Sequence, residues 1–315
     1  MHHTKSFDII GDIHGHAAEL QALLHSLGYE QQGGRYRHAD RKVIFVGDFV
    51  DRGTEIAQVI RIAKQMVDAG DALAVMGNHE YNLIAFHTLR PGKQEAWFRE
   101  HSDKNLHQNE ASRVQLKDQA LADALAWFKT LPVAIEVGGI RVAHASWQSQ
   151  DIACIEAALE SAGRFTPAFF MLAEDPNSRL GEAVERVLKG PEVRLPEGHW
   201  FTGKTGQRRH AVRVKWYEEG AGRTYREHHF GSDDVPDVAL DLRELASVEK
   251  YPPDAPPLFV GHYWLTGIPS PLATNVACTD YSVAKNGKLV AYRWDGESTL
   301  CGEKFHWVGK ANAGS

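Results

Sequence analysis

The sequence predicts an α/β fold in which helices cover a sheet, and three observations carry that expectation. Over residues 6–88 short apolar runs alternate with helix-period segments, giving a βαβαβα order. The apolar runs are continuous rather than alternating, as in strands buried on both faces. Isolated strand-like runs then return after residue 257, beyond a region of different texture that reads as an inserted cap.

Phe7-Asp8-Ile9-Ile10 is the first predicted strand. Residues 16–27 form the first helix, with Leu20, Leu23, Leu24 and Leu27 on one face and Gly28 as its stop. Val43-Ile44-Phe45-Val46 is the second strand, residues 54–69 the second helix ended by Gly70, residues 72–76 the third strand, and residues 81–87 open the third helix. Residues 90–130 are mostly helical in period and polar. Residues 132–137 and 140–143 read as a hairpin around Gly138-Gly139, leading into His144. Residues 150–256 contain helical stretches at 152–162 and 180–188, a Gly- and Pro-punctuated part at 190–206, and the closing run Tyr251-Pro252-Pro253-Asp254-Ala255-Pro256-Pro257. Leu258-Phe259-Val260, residues 273–279 and residues 288–294, the last after an Asn286-Gly287 turn, complete the core. We therefore expect one domain over 1–315, with its core in 1–149 and 257–300 and an insertion at 150–256.

The chain has 315 residues, 43% of them hydrophobic, enough to bury a full core, and this excludes a disordered or fibrous class. Its net charge of -6 leaves no global electrostatic footprint for nucleic acid or an anionic membrane. Three cysteines, Cys154, Cys278 and Cys301, without CxxC spacing, argue against a disulfide framework and a thiolate zinc site, and they fit a reducing cytoplasm. No apolar run reaches membrane-spanning length, and no signal-like segment follows the N-terminus, so no membrane partner is expected; His2 and His3 carry no functional weight.

Each of the first three strands ends in a segment that joins glycine to metal- or phosphate-competent side chains: Gly11-Asp12-Ile13-His14-Gly15, Gly47-Asp48-Phe49-Val50-Asp51-Arg52-Gly53 and Gly77-Asn78-His79-Glu80. Loops at the carboxyl ends of strands in covered α/β sheets converge on ligands. Asp12 and His14, two apart in an extended loop, project the same way, Asp48 is an anionic oxygen donor able to bridge two cations, and Asn78 adds an amide oxygen. Imidazole with carboxylate suits Mn, Fe or Zn better than Ca or Mg. His144 and His262, each following a predicted strand, complete a shell for two metal ions. Arg52 can fork onto two phosphate oxygens, His79 can protonate a leaving oxygen, and Asp51 can hold that imidazole protonated. Glu80, following two residues already employed, reads as structural.

The ordered set GDIHG, GDFVDRG and GNHE, followed by isolated histidines after strands, resembles the calcineurin-like metallophosphoesterases. Within them it resembles the branch that includes serine/threonine protein phosphatases, diadenosine tetraphosphatases and the phosphatase modules of RNA repair. The likeness is dense over 6–88, resumes at 140–146 and 258–262, and is absent from the insertion. It implies a two-sheet sandwich flanked by helices, a first metal on Asp12 and His14, Asp48 as bridge, a second metal on Asn78, His144 and His262, and a catalytic trio of Asp51, Arg52 and His79. Where many protein phosphatases carry an arginine before GNHE and HGG at the later histidine, this chain has Met76 and His144-Ala145-Ser146, a pattern closer to the diadenosine tetraphosphatases. A second phosphate-binding arginine has Arg186, Arg194, Arg208, Arg209 and Arg213 as candidates.

The expected function is hydrolysis of a phosphate monoester or phosphoanhydride by a dimetal-activated water, with a nucleotide of the dinucleoside polyphosphate type favoured over a phosphoprotein or a nucleic-acid end. The rival from another class is a non-catalytic metal-binding scaffold, which such a complete set of residues disfavours. Alone, Asp12 or Asp48 after a strand would be a turn or cap residue; the combination reverses that reading. The basic run at 204–229, with Trp216 and Tyr225 interleaved, fits a solvated strand face better than a nucleic-acid surface. The oligomeric state leaves no signature in the sequence.

Overall fold

Every residue of the strand Phe7–Ile10 is buried, and its neighbours explain why. In the computed structural model, which describes residues 6–309 apart from 176, 204, 205, 232 and 233, this strand pairs in parallel with Lys42–Phe45 and antiparallel with Lys288–Trp294. His2, His3 and Lys204 lie outside the described residues. Both edges are thus hydrogen-bonded, and polar alternation would place polar side chains in a packed layer. Ala72–Ala74 extends the sheet in parallel, while Asp280–Tyr281 and Phe305–Gly309 join Lys288–Trp294 antiparallel. A second sheet orders Val276–Cys278, Leu258–Val260, Ile140–Ala143 and Ala134–Val137.

The two periodic faces of the first sheet go to different layers. Phe7, Ile9, Ile44 and Val46 meet Val142, Phe259 and Ala277 of the second sheet. Ile10, Val43 and Phe45 face the other way, onto Leu20, Val59 and Ile84 of the helices Ala17–Ser26, Ile56–Asp68 and Asn78–Phe86. The result is a two-sheet sandwich flanked by helices.

The helices Ser149–Ala162 and Arg179–Lys189 contribute Ile155, Leu159, Val184 and Val187 to this same helical layer. Farther on, Val193, Phe201, Val212 and Tyr225 form a separate small cluster. Trp216, Tyr217 and Phe230 cover the outer face of the second sheet beside Tyr263. The aromatics of the basic run, Trp216 and Tyr225, are therefore core residues and have no open face for a base. Among the described residues no helix is long and apolar enough to cross a membrane, and all three cysteines are free.

The structure differs from the sequence reading in some boundaries. The third helix starts at Asn78 rather than 81, because Glu80 at its third position accepts the Gly77 amide at 3.1 Å and closes the first turn over polar residues. Periodicity sees only the apolar part that follows. The strand Phe305–Gly309 was not anticipated; its half-exposed alternation is that of a sheet edge.

One polar device ties the first sheet together. Asp8 is fully buried and accepts from Arg41 Nε at 3.0 Å and from the Tyr29 hydroxyl at 2.9 Å, while Arg41 Nη2 donates to the carbonyls of Phe7 and Trp294. Removing one partner of a buried pair leaves the other charge without compensation. Arg41→Ala is expected to lower unfolding stability by about 3 kcal/mol, read from urea melts; a loss within experimental error would show that Arg293, 3.4 Å from the other Asp8 oxygen, suffices.

Candidate active site

The three glycine-bearing loops meet at one edge of the first sheet, and Glu80 ties the second and third of them together. Its carboxylate, with no solvent exposure, accepts the amides of Asp48 at 2.8 Å, Phe49 at 2.8 Å, Val50 at 3.2 Å and Gly77 at 3.1 Å. Burial, followed by the charge of Asp48, pushes Glu80 up to about 7 despite these donors. The loop it holds contains Asp48 at φ 53°, Asp51 at 67° and Arg52 at 70°, and His14 lies opposite at 45°. Left-handed non-glycine residues cost about 1–3 kcal/mol each and persist where surrounding bonds fix them. Gly77 is required for proximity: a Cβ there would lie 2.2 Å from Asp48 Oδ1 and 2.3 Å from the Asp48 amide nitrogen.

Around Asp48 the side chains form two clusters able to hold a cation, His14 with Asp48 and His79, and Asp48 with His144 and His262. His14 Nδ1 donates to the Val50 carbonyl at 2.8 Å, so its Nε2 carries a lone pair; that atom is buried, 3.5 Å from Asp48 Oδ2, and has no hydrogen-bond partner. Burial, then His79, lowers His14 to about 3, so the ring is neutral at neutral pH. His144 Nδ1 donates to the Val46 carbonyl at 2.7 Å and turns Nε2 toward Asn78 Oδ1 at 3.0 Å and Asp48 Oδ1 at 3.5 Å. His262 directs Nδ1 at the same Asn78 oxygen from 2.8 Å, and its buried Nε2 is without a partner. A lone pair facing two oxygens calls for a proton or a cation between them.

Asp12 belongs to neither cluster; its two oxygens accept the His262 amide at 3.2 and 3.0 Å. Burial first, then Asp280 and Asp48, raise it well above the ordinary carboxylate range. Burial opposes ionisation of Asp48, but His144, His79 and His14 outweigh it and hold that carboxyl well below the usual range. Several buried carboxylates and imidazole lone pairs thus converge, and the donor set fits hard-to-borderline divalent cations.

Asp51 lies 2.5 Å from His79 Nδ1 and is held in turn by Ser112, whose hydroxyl donates to it and accepts the Asp51 amide at 2.9 Å. Burial lowers the affinity of His79 for a proton, but Asp48 and Asp51 outweigh it, and the net shift is upward. The Arg52 guanidinium stands 4.2 Å over the Trp264 ring. Of the five arginine candidates, Arg186 is bound to Asp151, Arg208 lies over Trp200, and Arg209 and Arg213 share Glu192, at 2.7 and 3.1 Å. Arg213 also bears on the site: its charge helps depress His262, after burial, and its Nε is buried without a partner.

Asp280 and Trp264 escaped the sequence reading. Asp280 is buried, accepts the amides of Trp264 at 2.6 Å and Ser282 at 2.9 Å, and raises Asp12. Its only sequence signal is a carboxylate two residues past an apolar strand.

The sandwich thus presents, at one polar edge, donor clusters able to hold divalent cations. The chain belongs to the calcineurin-like phosphoesterases, whose family profile matches residues 5–241. It is 31% identical over 157 residues to the asymmetrical bis(5'-nucleosyl)-tetraphosphatase PrpE of Bacillus velezensis, a match covering 47% of this chain and 59% of that protein. It is 49% identical over 81 residues to the PrpE of Halalkalibacterium halodurans, covering 25% and 33%. The chain thus spans only a third to about six-tenths of the length of these curated relatives. A solved cold-active protein-tyrosine phosphatase of a Shewanella species aligns over 93% of this chain and 78% of its own, at 17% identity and a TM-score of 0.48.

Two measurements follow from the geometry. Glu80→Gln places an amide group against amide donors and should cost about 3 kcal/mol in denaturant unfolding, whereas an unchanged midpoint would mean that the loop is held otherwise. Adding Mn²⁺ to chelator-treated protein should raise its melting temperature, corresponding to about 2.7 kcal/mol at a hundredfold excess over Kd. Asp48→Asn should erase that rise, and a rise that survives it would place the cation elsewhere.

Proposed function

We propose that this chain is a metal-dependent phosphohydrolase acting on nucleotide phosphoanhydrides or phosphate monoesters, with Asp12, His14, Asp48, Asn78, His144 and His262 as ligands of two cations. The observation that supports it most is the hydrogen-bonded pair of His79 and Asp51 beside the donor clusters that share Asp48. Manganese is the metal we assign, from the mix of imidazole and carboxylate. Cations in these clusters would supply the charge that activates a water and screens phosphoryl oxygens during in-line displacement. Arg52 offers its planar fork to two of those oxygens, and Arg213 is the second arginine we assign to the phosphate. His79, kept protonated by Asp48 and Asp51, donates its proton to the departing oxygen.

The names of the curated relatives, the Met76 position and the Ala145 position all support a nucleotide substrate over a phosphoprotein. We assign residues 150–256 as the inserted region, with its later half as a cap, and the free cysteines support a cytoplasmic setting. Purified protein with Mn²⁺ should hydrolyse diadenosine tetraphosphate and p-nitrophenyl phosphate. His79→Ala or Asp48→Asn should lower kcat by about 100-fold or more. Metal-loaded protein inert toward phosphoesters, phosphopeptides and dinucleoside polyphosphates alike would overturn the proposal, and a phosphopeptide preference would redirect the substrate.

A further inference from the structure

The chain after His262 turns away from the clusters and becomes the wall of a cavity of about 940 Å³. Tyr263 and Trp264 line it on the side of the clusters, the loop at 281–288 lines another side, and Lys215, Arg226, Glu227, His229, Phe230 and Gly231 line the third. Among the described residues four cationic side chains line it, Lys215, Arg226, Lys285 and Lys288, with one carboxylate, Glu227, and Arg226 is paired at 3.1 Å with Asp234 beside it. This is a local positive field in a chain of net charge -6. Lys215 and Lys288 donate to the carbonyls of Glu227 and Gly267, which are neutral acceptors that leave their charge in place.

Trp264 couples this cavity to the phosphate site. Arg52 lies 4.2 Å from its ring centroid and Lys285 Nζ lies 3.9 Å from the same centroid, so the two charges are separated by no more than those distances combined. The ring is held by backbone at φ 54° and by its amide's bond to buried Asp280. A cation row that begins at Arg52 and continues past Trp264 exceeds what a single phosphate can use. The volume falls within the range of sites that enclose a nucleotide-sized molecule.

We propose that this cavity receives the part of the substrate beyond the reacting phosphate, and that this part is the remaining polyphosphate and nucleoside of a nucleoside polyphosphate. The proposal rests on the phosphohydrolase reading above and adds the seat of the leaving group. Trp264 is the positioning residue between the two subsites, and Lys285 and Lys288 bind the phosphates that follow.

The test compares adenosine 5'-tetraphosphate with p-nitrophenyl phosphate, using the full Mn²⁺-loaded chain. Lys285→Ala with Lys288→Ala should lower the ratio of kcat/KM for the long over the short substrate by about tenfold, mostly through KM. Thr266→Glu, a charge added on the exposed rim, should do the same without touching the packed interior. A ratio within twofold of the unaltered protein in both variants would overturn the cavity while leaving the phosphohydrolase intact. Unaltered protein that hydrolyses neither compound would instead sink the phosphohydrolase reading. In that event calorimetric binding of adenosine 5'-tetraphosphate decides the cavity alone: affinity lost in the variants supports it, and affinity unchanged or absent refutes it.

Discussion

The constraint on which the rest of the structure depends is the single carboxylate of Glu80. Four backbone amides from two loops converge on it, and they come from the residues that carry or border Asp48, Asn78 and His79. Without an acceptor there, these donors would be buried unpaired, and the loop would relax from its left-handed conformations. The carboxylate thus replaces what a regular element would supply: it lets irregular backbone sit in a dry interior with its polar groups satisfied. Gly77 makes this possible by leaving no atom where a side chain would strike Asp48.

From that fixed loop the electrostatics follow. Asp48 is surrounded by three imidazoles that favour its ionised form, whereas Asp12 lacks such partners and lies near Asp280 and Asp48. The same burial that penalises each charge also strengthens their mutual interactions. His79 is drawn toward its protonated form by carboxylates on two sides, and His14 is driven to the neutral form. Two imidazoles whose ring centroids are 4.7 Å apart therefore carry opposite protonation preferences: burial and the neighbouring His79 drive His14 to the neutral form, while the charges of Asp48 and Asp51 favour protonated His79.

Most of the sandwich was legible in the sequence because its strands are continuous apolar runs stopped by glycine, a local signal. The gathering of Asp12, His14, Asp48, Asp51, Arg52, Asn78 and His79 was legible for the same reason: each follows such a run, and strand ends on one sheet share an edge. Asp280 and Trp264 were not, since their importance comes from Asp12 and Arg52 across the fold. Nor could the partners of Arg186, Arg208, Arg209 and Arg213 be read, because Asp151, Trp200 and Glu192 meet them only in the folded chain. The helices after 149 pack into the main helical layer, although their pattern looked the same as that of a separate cap. Periodicity reports that a face is apolar and is silent on what covers it.

The two donor clusters differ in the chain that makes them. His14, Asp48 and His79 all come from the first sheet and its loops, whereas His144 and His262 arrive from the second. The second cluster cannot exist until the sheets have packed, and Asn78, which both late histidines face, is then enclosed. The second cluster thus depends on contacts of longer range than the first. A cation bound across both clusters would act as a rivet between the layers, and its departure would loosen the packing of one sheet on the other as well as the chemistry.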